Sequence, residues 1–174
     1  MSVDFELVVA MDQDRGIGLK GTLPWHFPAD LKHFKEVTTH ATSAQNKNVV
    51  VMGRKTWDSL PDKFKPLPNR INVVLTRNKN LQLPANVYKI ASLNELDKIL
   101  KKTTPKRIFI IGGAQVFEEA LKNPRTKRIH LTEVRSSFKA DTFFPSLGPE
   151  WQVLKEKGPV SDQGHFLCFR EYAR

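Results

Sequence analysis

With 174 residues, of which 40% are hydrophobic and 26% charged, the chain has the make-up of one soluble globular domain. That length buries roughly 70% of the surface the unfolded chain would expose, so no disulfide or metal is needed to hold it. The formal net charge of +10 points to anionic partners, while a single cysteine and five histidines in no zinc spacing argue against a disulfide framework and a metal centre.

The start, Met1-Ser2-Val3-Asp4-Phe5-Glu6, carries acids where a signal peptide needs Lys or Arg. The apolar run after it is too short to span a bilayer, so a cytoplasmic protein with no membrane partner is expected. From Phe5 to Met11 the run reads as a strand covered on both faces. A loop follows with Gly16, Gly18 and Gly21, where the backbone can take positive φ and a flat ligand can come close; it reads as a mobile lid or as a plain surface loop.

Pro28 suits a first helical position and pushes Phe27 extended, which predicts a helix from Pro28 to about Thr38. At about 100° per residue Asp30 shares a face with Leu31, Phe34 and Val37, and Lys32, Lys35 and Glu36 point the other way. Two readings of Asp30 stand: a first-turn acid favoured by the helix dipole, or a carboxylate in an apolar cleft that binds a cationic or amidine-like edge.

The polar stretch from Thr39 to Lys47 reads as a solvated connection and Asn48 to Met52 as a second buried strand. Gly53-Arg54-Lys55-Thr56-Trp57 follows, where a short helix beginning near Thr56 would turn free N–H groups and two cations towards a phosphate. It is not a Walker A loop. Residues 61–70 hold three prolines and are expected to form an irregular, stiff rim presenting Leu67 and Arg70. Strands are expected from Ile71 to Thr76, just before Arg77, and from Val87 to Ala91. Ser92-Leu93-Asn94-Glu95 has the form of a capping box, opening a helix with a Leu93, Leu96, Ile99 and Leu100 stripe and Lys101-Lys102 at its C-terminus.

Arg107 to Ile111 predicts a fifth strand, after which Gly112-Gly113 leads into a helix from Ala114 to Lys122, ended by Asn123-Pro124. Strand, glycine turn and helix is how α/β folds hold phosphates, although the G-x-G-x-x-G fingerprint is missing. A sixth strand is expected from Arg128 to Val134. Trp151 to Lys155 and His165 to Tyr172 should form an antiparallel hairpin about residues 161–164, with Cys168 a buried structural thiol. The fold class predicted is α/β: a mixed, mostly parallel central sheet of about eight strands, helices on both faces and a C-terminal antiparallel hairpin. Residues 1–174 form a single domain in which 48–105 could move as a lobe.

Eight short pieces occur in an order that resembles dihydrofolate reductase along nearly the whole chain. They are Gly16-Ile17-Gly18, Leu23-Pro24-Trp25, Pro28-Ala29-Asp30-Leu31, Met52-Gly53-Arg54-Lys55-Thr56-Trp57, Pro66-Leu67-Pro68 with Arg70, Ile111-Gly112-Gly113, Leu131-Thr132 and Asp141-Thr142-Phe143-Phe144-Pro145. The resemblance implies NADPH-dependent reduction of 7,8-dihydrofolate to tetrahydrofolate, with hydride to pterin C6 and a proton to N5, supplying one-carbon metabolism for thymidylate, purine and amino-acid synthesis. It assigns catalysis to Asp30, Thr132 and Leu23, with Asp30 against the pterin 2-amino group and N3 and Thr132 in the same network. It lines the folate cleft with Val8, Val9, Leu31, Phe34, Leu67 and Ile111, and gives the glutamate carboxylate to Arg70. Ala10, Ile17 and Gly18 would hold the nicotinamide. The rest of the cofactor falls to Gly53, Arg54, Lys55, Thr56, Leu75, Thr76 and Arg77, and to Gly112, Gly113, Ala114, Gln115, Val116 and Phe117.

The resemblance also implies a monomer that binds dihydrofolate and antifolate-type inhibitors, and neither nucleic acid nor a membrane. The chain departs from the family pattern at Phe117, where many relatives have Tyr, at Gln115, where some bacterial members have Arg, at Leu23, often Met, and in the longer 39–47 connection. Two other readings stay open. A reductase of similar fold acting on a ribosylated pyrimidine would share the cofactor side without needing Asp30 and Arg70 together. A basic nucleic-acid-binding module is favoured by net charge, though the clusters Arg54-Lys55, Lys101-Lys102, Lys106-Arg107 and Lys127-Arg128 lack interleaved aromatics.

Overall fold

The computed structural model describes residues 2–101 and 103–174; Met1, and Lys102 with its expected place at a helix C-terminus, lie outside the described residues. In chain order the elements are β1 (Phe5–Asp12), β2 (Gly16–Gly18), α1 (Pro28–Thr39), β3 (Asn48–Gly53), α2 (Arg54–Ser59), β4 (Arg70–Leu75), β5 (Val87–Ile90) and α3 (Leu96–Leu100). They continue with β6 (Ile108–Ile110), α4 (Ala114–Lys122), β7 (Thr126–Val134), β8 (Thr142–Phe143), β9 (Gln152–Asp162) and β10 (His165–Ala173).

Eight of the strands form one sheet in the order β5-β4-β3-β6-β1-β7-β10-β9. Pairing is parallel from β5 to β7 and antiparallel from β7 through β10 to β9. This is the mixed, mostly parallel sheet with a C-terminal hairpin that the pattern of apolar runs predicts. A second, two-stranded sheet joins β2 to β8. It has no sequence signal, because a three-residue strand with two glycines shows no alternation to read.

Alternation along the central strands divides the core between two faces. Leu7, Val9, Val51, Ile110 and Leu131 pack under Val116, Phe117 and Ala120 of α4 and under Leu93 and Leu96. Val8, Val50, Met52, Val74 and Phe109 face Trp57 of α2 and the half-buried Phe34 and Val37 of α1. At roughly 1.5 to 3 kcal/mol for each large apolar side chain, these two layers hold the sheet between its helices. A third cluster, Trp25, Phe27, Val134, Leu167 and Phe169, wraps the start of α1 onto β7 and β10. Cys168 is fully buried in β10.

Four local expectations are corrected. Helix α2 starts at Arg54 rather than near Thr56, because the extended Gly53 (φ −71°, ψ 163°) already serves as its N-cap. Residues 61–70 are not wholly irregular, since Asp62–Phe64 make one 3₁₀ turn. Ser92 makes no side-chain cap: a 3₁₀ turn at Leu93–Glu95 gives the Glu95 N–H to the Ser92 carbonyl, and Glu95 Oε2 reaches back to the Ala91 N–H at 3.0 Å instead. Strand β9 runs seven residues past Lys155, to Asp162; exposed along most of its length, it has no apolar alternation to mark that extent. No helix among the described residues is long and apolar enough to cross a membrane.

Candidate active site

The carboxyl ends of β1, β3, β4 and β6 lie along one edge of the sheet, and β1 sits where the chain's crossovers diverge, to β3 on one side and from β6 to β7 on the other. In such sheets ligands bind in the crevice at that point. Helix α1 covers the face of the crevice that carries Val8, and α4 starts from the end of β6.

Pro28 opens α1 and the preceding Phe27 is extended (φ −115°, ψ 111°). Phe27 has no side-chain oxygen to cap the helix, and Asp162, at the far end of β9, does so by accepting the Ala29 N–H on Oδ2 at 2.8 Å. The next residue, Asp30, is only 8% exposed. Burial pushes its carboxyl up to about 6; hydrogen bonding from the Thr132 hydroxyl opposes that, and the charge of Asp162 adds to it. Asp30 is therefore a buried carboxyl and not a solvated first-turn acid. Thr132 sits on β7 opposite Ala10 of β1 and Phe169 of β10. The buried Trp25 Nε1 has no hydrogen-bond partner among the described residues.

The apolar stripe of α1 differs from the pattern in one place. Leu31, expected on the packed face, is 44% exposed. It stands about 100° round the helix from Asp30, at the margin of the stripe, where its side chain is left open to solvent.

Eight residues along α1 from Asp30, about 12 Å at 1.5 Å per residue, the buried Thr38 meets Arg70. Arg70 Nη1 donates to Thr38 Oγ1 at 2.8 Å and Nε to the Pro68 carbonyl at 2.9 Å, and the guanidinium lies 5.8 Å from the Phe34 ring centroid. Nη2 makes no protein hydrogen bond among the described residues. Burial lowers the pKa of Arg70, though an arginine so placed keeps its charge. The rim that carries Leu67 is clamped by Asn72, whose Oδ1 accepts the Leu67 N–H and whose Nδ2 donates to the Leu67 carbonyl, both at 2.9 Å.

Between these ends, Val8, Phe34, Leu67 and Ile111 share one cluster. Val9 does not: its side chain packs on the opposite face of the sheet, so only its main chain can border the cleft.

At the edge expected to hold a cofactor, the Gly53 N–H donates to the Gly112 carbonyl at 2.8 Å, stitching the end of β3 to the turn after β6. Gly112 has φ +117°, open to glycine and not to other residues, and the Gly112-Gly113 peptide is cis. A Cβ added at Gly113 would meet only Thr56 Oγ1, at 3.6 Å, so the main chain is bare there. Helix α4 starts next to it with no side-chain cap, its first-turn N–H groups directed to the same edge. Val116 and Phe117 are buried, Phe117 edge-on to Phe144 at 5.3 Å, so the missing tyrosine hydroxyl is replaced by apolar packing; Gln115 is exposed.

Arg54, expected to be free for phosphate, is paired with Asp58 at 2.7 Å. Lys55 and Arg77 are exposed and without a hydrogen-bond or ion-pair partner among the described residues. Thr76 Oγ1 accepts the Asn78 N–H at 3.1 Å, and Leu75 packs against the α4 face.

The glycine loop is tied down rather than free. Asp12, fully buried, accepts the Asp14 and Gly16 N–H groups on Oδ1 at 2.9 and 2.7 Å and the Phe138 N–H on Oδ2 at 2.9 Å. Asp141 donates its N–H to the Gly18 carbonyl at 2.9 Å and accepts the Lys20 N–H at the same distance. Ile17 and Gly18 are thereby held in place, with Ile17 packed against the α4-side core, and Leu23 projects, 46% exposed, from the segment after them.

Sequence reasoning passed over four residues that shape the site. Asn72 carried a signal, being the one amide in an apolar strand, and so did Asp12, an acid placed to make an Asx turn into a glycine loop. Thr38 and Asp162 carried none.

A family model for dihydrofolate reductase matches residues 4–174. Bifunctional dihydrofolate reductase-thymidylate synthase 1 of Arabidopsis thaliana is 39% identical, over 98% of this chain and 34% of that protein. Dihydrofolate reductase of Drosophila melanogaster is 38% identical, over 91% of this chain and 86% of the relative, and that of Aedes albopictus 35% identical, over 91% and 88%. The chain spans about a third of the length of the bifunctional relatives and nearly all of the insect ones.

Proposed function

This chain belongs to the dihydrofolate reductase family, and on that premise we propose that it reduces 7,8-dihydrofolate to tetrahydrofolate with NADPH and one proton. The observation that carries the reading is the pairing, along one face of α1, of a buried carboxyl beside Thr132 with a guanidinium fixed by Thr38 and Pro68. A ligand with an amidine-like edge at one end and a carboxylate about 12 Å away matches both. A ribosylated pyrimidine has no carboxylate to offer Arg70.

The cofactor edge fits a dinucleotide phosphate: the bare Gly112-Gly113 turn, the uncapped start of α4 and the unpaired Lys55 and Arg77 supply N–H groups and positive charge. Arg54, Lys55, Thr56 and Arg77 would hold the phosphates, Leu75 and Thr76 the adenosine end, and Ala10, Ile17 and Gly18 the nicotinamide. When bound, NADPH supplies the hydride for pterin C6. Asp30 accepts hydrogen bonds from the 2-amino and N3 N–H groups, and its negative charge polarises the ring so that N5 takes a proton more readily, with water as the carrier. Val8, Phe34, Leu67 and Ile111 exclude bulk water from the reacting ring, and Leu31 and Leu23 complete the apolar wall once ligand is present.

The same reading carries a cytoplasmic monomer, sensitivity to antifolate-type inhibitors, and a lobe of residues 48–105 that adjusts around the adenosine. Loss of NADPH absorbance that depends on added dihydrofolate tests the proposal. NADPH oxidation indifferent to dihydrofolate, or elution from heparin that does not respond to NADPH, would refute it.

A further inference from the structure

The tip of the β9–β10 hairpin grips the first turn of α1 from two sides. Asp162 pairs with His165 across the turn, whose central residues Gln163 and Gly164 have φ of 48° and 78°. Two left-handed positions make a tight type I′ reversal, which places the flanking side chains side by side. Asp162 Oδ2 accepts the Ala29 N–H at 2.8 Å. The His165 ring lies 5.4 Å from that of Phe27 and 5.3 Å from that of Phe138, and its Nδ1 is 2.7 Å from Ser136 Oγ. The helix start is thus held at Phe27 and Ala29, on either side of Pro28, the second of them directly ahead of Asp30.

We propose that Asp162 is a positioning residue for Asp30: it fixes the first turn of α1 so that the Asp30 carboxyl enters the cleft, and it sets a second negative charge beside that carboxyl. The inference deepens the reading of Asp30 as the pterin-binding group and rests on it. Besides Asp30, the charged and titratable groups on these elements are Lys32, His33, Lys35 and Glu36 on α1, Lys127, Arg128, His130 and Glu133 on β7, Lys155, Glu156, Lys157 and Asp162 on β9, and His165, Cys168, Arg170, Glu171 and Tyr172 on β10; β3 brings none. Among these it is Asp162 whose charge acts on Asp30, in the same direction as burial, whereas His130, Glu36 and Lys157 act on His33. A cleft carboxyl that keeps its proton to higher pH in the free protein can release it through water towards N5, and is then left as the carboxylate that binds the pterin edge.

Asp162→Asn retains an oxygen for the Ala29 amide and removes the charge, and Asp162→Ala removes both. In the free protein the Asp30 carboxyl is titrated by ¹³C NMR with labelled aspartate, its resonance identified by its loss in Asp30→Asn. The pH profile of kcat/KM for dihydrofolate is recorded alongside. In Asp162→Asn both midpoints should move to lower pH, with hydrogen exchange at the Ala29 amide unchanged. Because the rate falls about tenfold per pH unit above its midpoint, the loss at neutral pH reads the shift directly. Asp162→Ala should show the same shift and faster exchange at Ala29. Asp162→Ser is a second uncharged acceptor if the asparagine variant does not fold. An Asp30 resonance that titrates where it did before overturns the proposal. A parent protein that does not reduce dihydrofolate overturns the assigned reaction instead, and the NMR titration still decides the role of Asp162.

Discussion

Thr38 and Arg70, 32 residues apart, are joined by one hydrogen bond: Arg70 Nη1 donates to Thr38 Oγ1 at 2.8 Å, while the threonine hydroxyl donates to the Phe34 carbonyl, also at 2.8 Å. The hydroxyl holds the guanidinium, and Nη2, which makes no protein hydrogen bond among the described residues, is the group proposed to take the ligand carboxylate. Thr38→Val keeps the shape and leaves a buried N–H without a partner, a loss of roughly 1 to 3 kcal/mol. KM for dihydrofolate should rise about tenfold, with kcat little changed and a pterin lacking the glutamate unaffected. Arg70→Lys, which loses the planar fork, should act in the same direction. Equal weakening of both ligands would show that Arg70 does not hold the tail.

Asp30→Asn keeps the size of the side chain and removes its charge. Turnover near neutral pH should drop by roughly 10²-fold or more, the scale of a lost acid–base group, and should recover as acid protonates the substrate in solution. Stability should move the other way. A carboxyl that titrates at about 6 when folded, against 3.8 otherwise, binds its proton more tightly in the folded state. Folding is then most favoured below about 3.8 and is weakened as pH rises through 6. At pH 8 the asparagine variant should be more stable than the parent by about 3 kcal/mol, and near pH 3 the two should melt together. A variant with normal neutral-pH rates and an unchanged melting profile would mean that Asp30 is neither buried as described nor used in the reaction.

Beneath the cleft, Glu6 accepts hydrogen bonds from Arg107 Nε at 2.7 Å and lies 2.7 Å from His130 Nε2. Burial pushes this carboxyl up, but the His130 and Arg107 hydrogen bonds and the charge of Arg107 outweigh it and hold Glu6 at about 2. A depressed carboxyl stabilises the fold above its unfolded value of 4.5 and loses that contribution as pH falls towards 2. Glu6→Gln strands Arg107 and His130 and should cost roughly 3 kcal/mol at pH 7, with the gap to the parent closing in acid. Thermal melts at pH 7 and pH 3 measure it, and a constant gap would assign the loss to packing.

Lys55 and Arg77 stand exposed at the cofactor edge, while Arg54 shares its charge with Asp58. Replacing Arg54 and Arg77 together by Gln should raise KM for NADPH far more than for NADH, because one cofactor alone carries the 2′-phosphate. Most of the effect should come from Arg77, since the ion pair already half neutralises Arg54. Parallel losses with both cofactors would reduce these residues to general surface charge.

Elements whose signals are local could be read from the residues alone. Pro28 with an extended Phe27 marked the start of α1, Gly112-Gly113 before an apolar-striped segment marked α4, and unbroken apolar runs marked the central strands. Each rests on backbone preferences and contacts within a few residues, which composition and spacing carry. The ordered motifs also made the family recognisable before any fold was drawn. What the tertiary structure decided were relations across long stretches of chain: Asp162 reaching the Ala29 amide over 133 residues, Thr38 setting Arg70, Asp12 tying Gly16 to Phe138. Sheet register decided that Val8 faces the cleft and Val9 does not. The physical reason is common to all of these. Whether a polar side chain is satisfied, and which face a residue presents, depends on which strand or helix the sheet order brings beside it, and no local preference encodes that neighbour.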